Sequence, residues 1–358
     1  MVVSNITVEK PRTAEELAAT LRDAAAADKA ITPVGGGMAS GIGGVLERCD
    51  IELHTGRLDR VLEYTPADMV VSVEAGITLD EVADALKRNQ QFLPIEPVPA
   101  EGHTIGGLLA TGLTGPLRLR YGSPRDFLIG IRVALPDGRL ASAGGRVVKN
   151  VSGFDMMKLH YGAMGTLGVI VAASFKVFPS PLRQVMVGSR GSWDDATRAL
   201  ALPLPPVSLE LFSDGRVHAR FFGSPDAVEA MARELGWRSI SAAEAIEHRM
   251  HAPARWARIT VPRSRLRDVL DGLPEQTSWW ASPGVGIADW SFGDPDEVVG
   301  VRKMAEAAGG SLVLMAAPDD VKRRVGAWGT PPPTLDVMRR LKDAFDPNHV
   351  LNPGRFVV

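Results

Sequence analysis

The chain predicts an α+β protein in two parts, a mixed first domain over residues 1–181 and a smaller antiparallel-sheet domain over 182–335 with helices on one face. Three observations carry this. Its 358 residues exceed the roughly 100–200 usual for a single domain. Apolar β-like runs alternate with capped helical segments up to Pro179. Beyond Pro181 the pattern changes to alternating strands, each followed by a helix of one repeated design.

Taken in order, Thr13-Ala-Glu-Glu16 has the spacing of a capping box and predicts a helix to about Asp28, with Leu17 and Leu21 inward. Ala30–Val34 is a short strand feeding a glycine-rich loop, and strands follow near Ile51–Leu53 and at Met69–Ala75. Thr78-Leu-Asp-Glu81 repeats the box and opens a second helix with Val82 and Leu86 buried. Pro94, Pro97 and Pro99 interrupt regular structure, and a second glycine-rich loop comes next. Leu128–Leu135 and Leu140–Ala143 read as a hairpin across Pro136-Asp-Gly138, and Val169–Phe178 as a long strand stopped by proline.

In the second part, Ser224-Pro225 opens a helix that Gly236 closes, and Asp294-Pro295 opens another that ends at Gly309. Each follows a strand ending in Phe-Gly, Val217–Gly223 and Ile287–Gly293, which points to a duplicated strand–helix unit. Chance similarity is the alternative, since capped helices after strands are common. Pro331–Pro333 marks the exit, and Leu335–Phe345 is a last helix.

Hydrophobic content of 45% and charged content of 23% fit a globular protein with an ordinary core. The net charge of −2 argues against nucleic acid or an anionic membrane as the main partner. No apolar run approaches the roughly 18 residues of a membrane span, and the N-terminus lacks the pattern of a secretory signal. Cys49 is alone, which excludes an internal disulfide and a cysteine-ligated cluster. A cytoplasmic protein without a metal site is expected. His248 and His251 have a spacing that a metal could use, and a wet helix face explains them equally well.

Walker A, Gly-x-Gly-x-x-Gly and Gly-x-Ser-x-Gly motifs are all missing from the sequence. Glycines cluster instead at Gly35–Gly41, at Gly102–Gly107 running on to Gly112 and Gly115, and at Gly162–Gly168. Successive main-chain amides in such turns make concave nests for anions. Several nests in one domain suggest a long, diphosphate-bearing ligand held by main chain. Ordinary turns, in a chain with 37 glycines, are the alternative.

The ordered set Pro33-Val-Gly-Gly-Gly37, Val70–Gly76, Thr104-Ile-Gly-Gly107, Tyr121-Gly122 with Arg125-Asp126, and Gly165-Thr-Leu-Gly-Val-Ile170 resembles the FAD-binding domain of vanillyl-alcohol oxidase/p-cresol methylhydroxylase (PCMH-type) flavoproteins. Asp346–Arg355, with Asn352-Pro-Gly-Arg355, resembles the segment by which that superfamily returns to the flavin. Leu93–Pro97, Thr111–Pro116 and Val148–Asp155 resemble most closely the FAD-binding E subunits of glycolate oxidases.

The resemblance implies a PCMH-type domain of two α/β subdomains, a cap, and a segment 336–358 returning to the first domain. It implies non-covalent FAD between domain and cap, since no histidine stands in the first loop. The amides of Gly35, Gly36, Gly37, Met38, Ala39 and Ser40 would hold the diphosphate. Thr104, Ile105, Gly106, Gly107, Thr111, Gly112 and Gly115 would line the flavin and ribityl chain. Gly165, Thr166, Gly168, Val169 and Ile170 would meet the adenine end, and Asn352 the isoalloxazine. Caps or turn hydrogen bonds are the alternative role for Thr104, Asn150 and Asn352.

Met38 replaces the Ser or Thr of many relatives, which removes one side-chain hydrogen bond. The paired histidines of the catalytic relatives are missing, so catalytic residues stay unassigned and His218 and His248 read as polar surface. Arg120, His103 and Arg255-Trp256 are candidates for carboxylate recognition, with surface salt bridges as the alternative for the arginines. The implied role is the FAD-binding subunit of a glycolate or 2-hydroxy-acid oxidase complex. A catalytic flavoprotein sister and an iron–sulfur subunit would complete it, with peripheral association at the inner face of the cell membrane allowed. The alternatives are a stand-alone FAD dehydrogenase of another small alcohol or acid, and an assembly scaffold with weak or lost FAD.

Overall fold

The computed structural model describes residues 6–97, 101–145, 155–247 and 254–358, in two compact units. His248, His251, Asn150 and the Val148–Phe154 stretch lie outside the described residues.

The first unit comprises Met1–Thr114, Ser123–Ser180 and Thr330–Val358. Strand β1 (Thr7–Glu9) leads to helix α1 (Ala14–Ala26), whose Thr13 hydroxyl accepts from Glu16 N at 3.1 Å. Leu17 and Leu21 on its inner face meet Ile31 and Leu53 of strands β2 (Ile31–Val34) and β3 (Ile51–His54). These strands form a parallel sheet in the order β1-β3-β2. Strands β4 (Val61–Thr65) and β5 (Val70–Glu74) then enter a second sheet, and the capping box of helix α2 (Leu79–Lys87) is complete, with Thr78 N donating to Glu81 at 2.8 Å.

The second glycine-rich loop is a correction. Helix α3 occupies Ile105–Thr111, capped by Thr104, whose hydroxyl accepts from Gly107 N at 3.3 Å. Burial of Ile105, Leu108 and Leu109 outweighs the helix cost of two glycines, each about 1 kcal/mol. Gly106 is required there because a Cβ would stand 2.9 Å from that of Ala75. Strands β6 (Leu128–Ala134) and β7 (Leu140–Gly144) form the expected hairpin, and β8 (Val169–Lys176) completes an antiparallel sheet ordered β4-β5-β8-β6-β7.

The second unit comprises Gly115–Gly122 and Pro181–Gly329. Gly115, expected beside the first unit's glycines, therefore belongs here, and the Leu119 side chain that follows it packs on this unit's core. The sheet is larger than expected, with eight strands. In chain order the elements are β9 (Arg183–Arg190), α4 (Trp193–Leu200), β10 (Ser208–Phe212), β11 (Arg216–Gly223), α5 (Pro225–Leu235) and β12 (Arg238–Ser239). Then come β13 (Trp256–Thr260), α6 (Leu266–Asp271), β14 (Trp279–Ser282), β15 (Ile287–Ser291), α7 (Pro295–Ala307) and β16 (Ser311–Ala316).

The spatial order β12-β9-β11-β10-β14-β15-β13-β16 reads 4-1-3-2 followed by 2-3-1-4. Each half is a complete ferredoxin-like βαββαβ unit, and the halves meet antiparallel where Leu211 faces Ala281 and Phe212 faces Trp280. The likeness between the halves thus extends past the strand–helix pair to the whole half. Alternation explains the helices on one face. Val217, Ala219 and Phe221 of β11 point at Ala196, Ala199 and Val228 of α4 and α5. Ala288 and Trp290 of β15 point at Leu266, Val298 and Val301 of α6 and α7. Trp193 and Trp279 pack on both clusters.

Candidate functional site

The first glycine loop leaves β2 and borders a solvent-open cleft of about 120 Å³ in the first unit. Its walls are Thr32–Ser40, His103, Thr104, Gly107, Ala110, Thr111, Met164, Gly165, Asn352 and Arg355. Side chains are excluded from the loop by geometry. A Cβ on Gly36 would overlap the carbonyl oxygen of Gly102, and one on Gly35 would overlap the Thr104 hydroxyl. Gly37 has φ +76°, the left-handed region that glycine enters freely.

Among the described residues, the amides of Gly35, Gly36, Gly37, Met38 and Ala39 donate to no protein acceptor. Ser40 differs, because its amide donates to Gly37 O at 3.2 Å and its hydroxyl to the same oxygen. The Met38 side chain is 45% exposed, and a Cβ on Gly102 would stand 3.3 Å from its sulfur. Two buried side-chain oxygens on the wall, Thr32 Oγ1 and Asn352 Oδ1, also make no protein hydrogen bond. Unpaired buried polar groups are costly, so these two oxygens suit donors from a ligand, and the loop residues Gly36, Gly37 and Met38 are exposed to it. Five consecutive amides without protein acceptors, and no carboxylate on the wall, suit an oxygen-rich anion such as a diphosphate.

Asn352 is brought here by the chain end. The segment lies beside β2, with Ile31 N donating to Val350 O at 2.7 Å and Asn352 N to Ile31 O at 2.8 Å. Its Nδ2 donates to Met164 O at 2.7 Å, which leaves Oδ1 at the wall. The turn role weighed for Asn352 is thus present together with a free acceptor. Arg355 Nη1 donates to the carbonyls of Ile42 at 3.3 Å and Gly44 at 3.1 Å, strapping the segment to the first loop. Thr32, Pro33, Val34, Ala110, Met164 and Arg355 also line the cleft without being expected there; Pro33, Val34, Met164 and Arg355 each stood within a motif, whereas Thr32 and Ala110 gave no signal.

Several expected residues sit elsewhere. Ile105 and Gly106 face the core side of α3, and Gly112 is its left-handed cap at φ +66°. Of the residues expected from the third cluster, Gly165 reaches the cleft, beside Met164. Thr166 Oγ1 donates to Ala163 O at 2.7 Å, Gly168 packs on Val133, and Val169 and Ile170 are buried in β8.

Of the carboxylate candidates, His103 lines the cleft, Arg120 is exposed in the second unit, and Arg255 donates to Gly293 O at 2.7 Å. Trp256 is buried in β13. His218, expected on the surface, is only 4% exposed and stacks on Phe212 with ring centroids 4.9 Å apart, because β11 is covered on both faces. Among the described residues no three His, Cys, Asp or Glu side chains group to hold a metal, and no helix is long and apolar enough to cross a membrane.

Fold and cleft together suit a nucleotide cofactor. Residues 7–144 match the family described as FAD binding domain, and 322–356 match FAD linked oxidases, C-terminal domain. These two matches show an FAD-binding domain of the PCMH type, with FAD as cofactor, in an FAD-dependent oxidoreductase.

It is 29% identical over 320 residues to glycolate oxidase subunit GlcE of Escherichia coli (strain K12), covering 86% of each chain. It is 35% identical over 203 residues to D-lactate dehydrogenase of Archaeoglobus fulgidus, covering 57% of this chain and 42% of that one, so it spans under half of that relative's length. In fold it is similar to alkyldihydroxyacetonephosphate synthase, with TM-score 0.70 at 19% identity over 97% of this chain and 76% of that one.

Proposed function

We propose that the protein is the FAD-binding subunit of a glycolate or 2-hydroxy-acid oxidase complex, with its FAD held non-covalently in the cleft beside Gly35–Ser40. The five amides without protein acceptors carry the cofactor assignment. The extent of the match to GlcE, at nearly full length in both chains, supports the subunit role. In this reading Gly35 to Ala39 meet the diphosphate, Thr104, Gly107 and Thr111 border the ribityl and flavin portion, and Asn352 Oδ1 accepts from the ring system. Bound FAD supplies a two-electron acceptor for oxidation of an alcohol carbon, and the chain's own groups bind and orient it. A catalytic flavoprotein sister and an iron–sulfur subunit complete the complex, at the cytoplasmic side of the membrane.

The test is a visible spectrum of the purified protein, then anaerobic titration with glycolate and D-lactate, alone and with co-purified partners. A yellow protein that glycolate bleaches only within the complex is expected. A colourless protein that takes up no added FAD refutes the cofactor placement. A lone protein bleached by D-lactate would favour a second reading, a stand-alone dehydrogenase, which the 35% identity to a D-lactate dehydrogenase motivates.

A further inference from the structure

The helix Leu335–Phe345 carries a lysine that the expected chemistry does not use. Lys342 is 2% exposed, and Asp346, one turn on, is 0% exposed. A lysine on an amphipathic helix ordinarily keeps its ammonium in water. Burying both charges is costly unless every remaining donor and acceptor is met. Here they are met. Lys342 Nζ donates to Asp346 Oδ2 at 2.6 Å, to the Thr166 carbonyl at 2.9 Å and to the Leu351 carbonyl at 3.0 Å. Asp346 also accepts from Val350 N at 3.2 Å and Leu351 N at 2.8 Å. Burial pulls the Lys342 ammonium below the ordinary lysine range, and the Asp346 carboxylate opposes that pull.

The two carbonyls show what the pair holds. Thr166 follows Gly165, Leu351 precedes Asn352, and both Gly165 and Asn352 line the cleft. Each lining residue has a left-handed backbone, with φ +69° at Gly165 and +48° at Asn352, and for asparagine that conformation must be held by its surroundings. The ammonium sits one residue behind the wall on each side and ties two segments remote in sequence. An apolar side chain of similar length would fill the same space without tethering either carbonyl.

We propose that Lys342 and Asp346 are a positioning pair for the cofactor cleft, fixing Gly165 and Asn352 relative to each other so that Asn352 Oδ1 meets the bound dinucleotide. This rests on the reading that the cleft takes FAD.

Two variants test it. Lys342→Met with Asp346→Leu removes both charges together and leaves neither orphaned, while Asp346→Asn keeps the shape and one acceptor. For each, the FAD dissociation constant is measured by flavin fluorescence, with the visible spectrum of the bound flavin and the melting temperature of the apoprotein. The double variant should bind FAD about tenfold more weakly or worse, about 1.4 kcal/mol. Asp346→Asn should bind a few-fold more weakly, and both should shift the visible band.

A purely structural pair would lower the apoprotein melting temperature and leave affinity and spectrum at wild-type values, and that result overturns the proposal. If the double variant does not fold, Asp346→Asn decides by the same criterion. A wild-type protein that takes up no FAD removes the reading of the cleft and this proposal with it. Wild-type binding with indifferent variants refutes the pair's role alone.

Discussion

Replacing Gly36 with valine is expected to abolish tight FAD binding while the first unit still folds. The Cβ would overlap the Gly102 carbonyl oxygen, a main-chain atom that no rotamer change can move, and would stand 3.7 Å from Thr104 Cγ2. The loop must therefore lift away from Gly102–Thr104, and its amides are displaced from the cleft wall. A hydrogen bond to a charged group contributes about 1.5–3 kcal/mol. Losing two of the five donors costs about 3–6 kcal/mol, a weakening of roughly a hundredfold to ten-thousandfold.

Gly37→Ala makes the contrast, because a Cβ there meets nothing within 4 Å and only the φ of +76° opposes it. That strain is about 1–2 kcal/mol, so affinity should fall by at most about thirtyfold. Apoprotein reconstituted with FAD and followed by flavin fluorescence, with circular dichroism for the fold, reads both. Wild-type colour and affinity in Gly36→Val, or a larger loss in Gly37→Ala, would refute the reasoning.

His160 is buried edge-to-face against Phe345, and burial pushes its pKa from 6.5 down to about 4. The unfolded chain binds the extra proton in that window, so the contribution is full above pH 6.5 and is lost as pH falls towards 4, about 3 kcal/mol in all. His160→Leu should flatten the acid side of a melting-temperature profile, and an unchanged slope would assign it to another group. Trp290→Ala, at a fully buried site beside Phe292, should cost about 3–5 kcal/mol in urea denaturation. A loss well below 1 kcal/mol would mean that this core is not close-packed.

Helices with caps were legible because their signals are local. Thr13, Thr78, Asp294 and the Ser224-Pro225 start all open helices in the structure. Strand β4 was missed because it is an edge strand whose first three residues are exposed, which erases the alternation that marks a strand. Strand β10 is buried throughout, Glu210 included, so it too shows no period of two, and the full extent of the sheet was hidden with it.

Helix α3 was hidden by Gly106 and Gly107, whose reason is the approach to Ala75 and Thr104 rather than a turn. The first glycine loop was readable because its chemistry lies in consecutive residues. Lys342 gave no signal, because its burial depends on the Thr166 carbonyl, which belongs to a distant stretch of chain.

The mirrored strand order also halves the number of open sheet edges. Two separate four-stranded layers would present four open edges to passing chains, each a template for unwanted pairing. Fusing them through Ser208–Phe212 and Trp279–Ser282 removes two. One survivor, Arg238–Ser239, is two residues long and fully exposed with a cationic guanidinium, a poor recruit for a foreign strand. At the other, Leu314 N donates to the Ala327 carbonyl at 2.8 Å, so part of that edge is covered from within the unit.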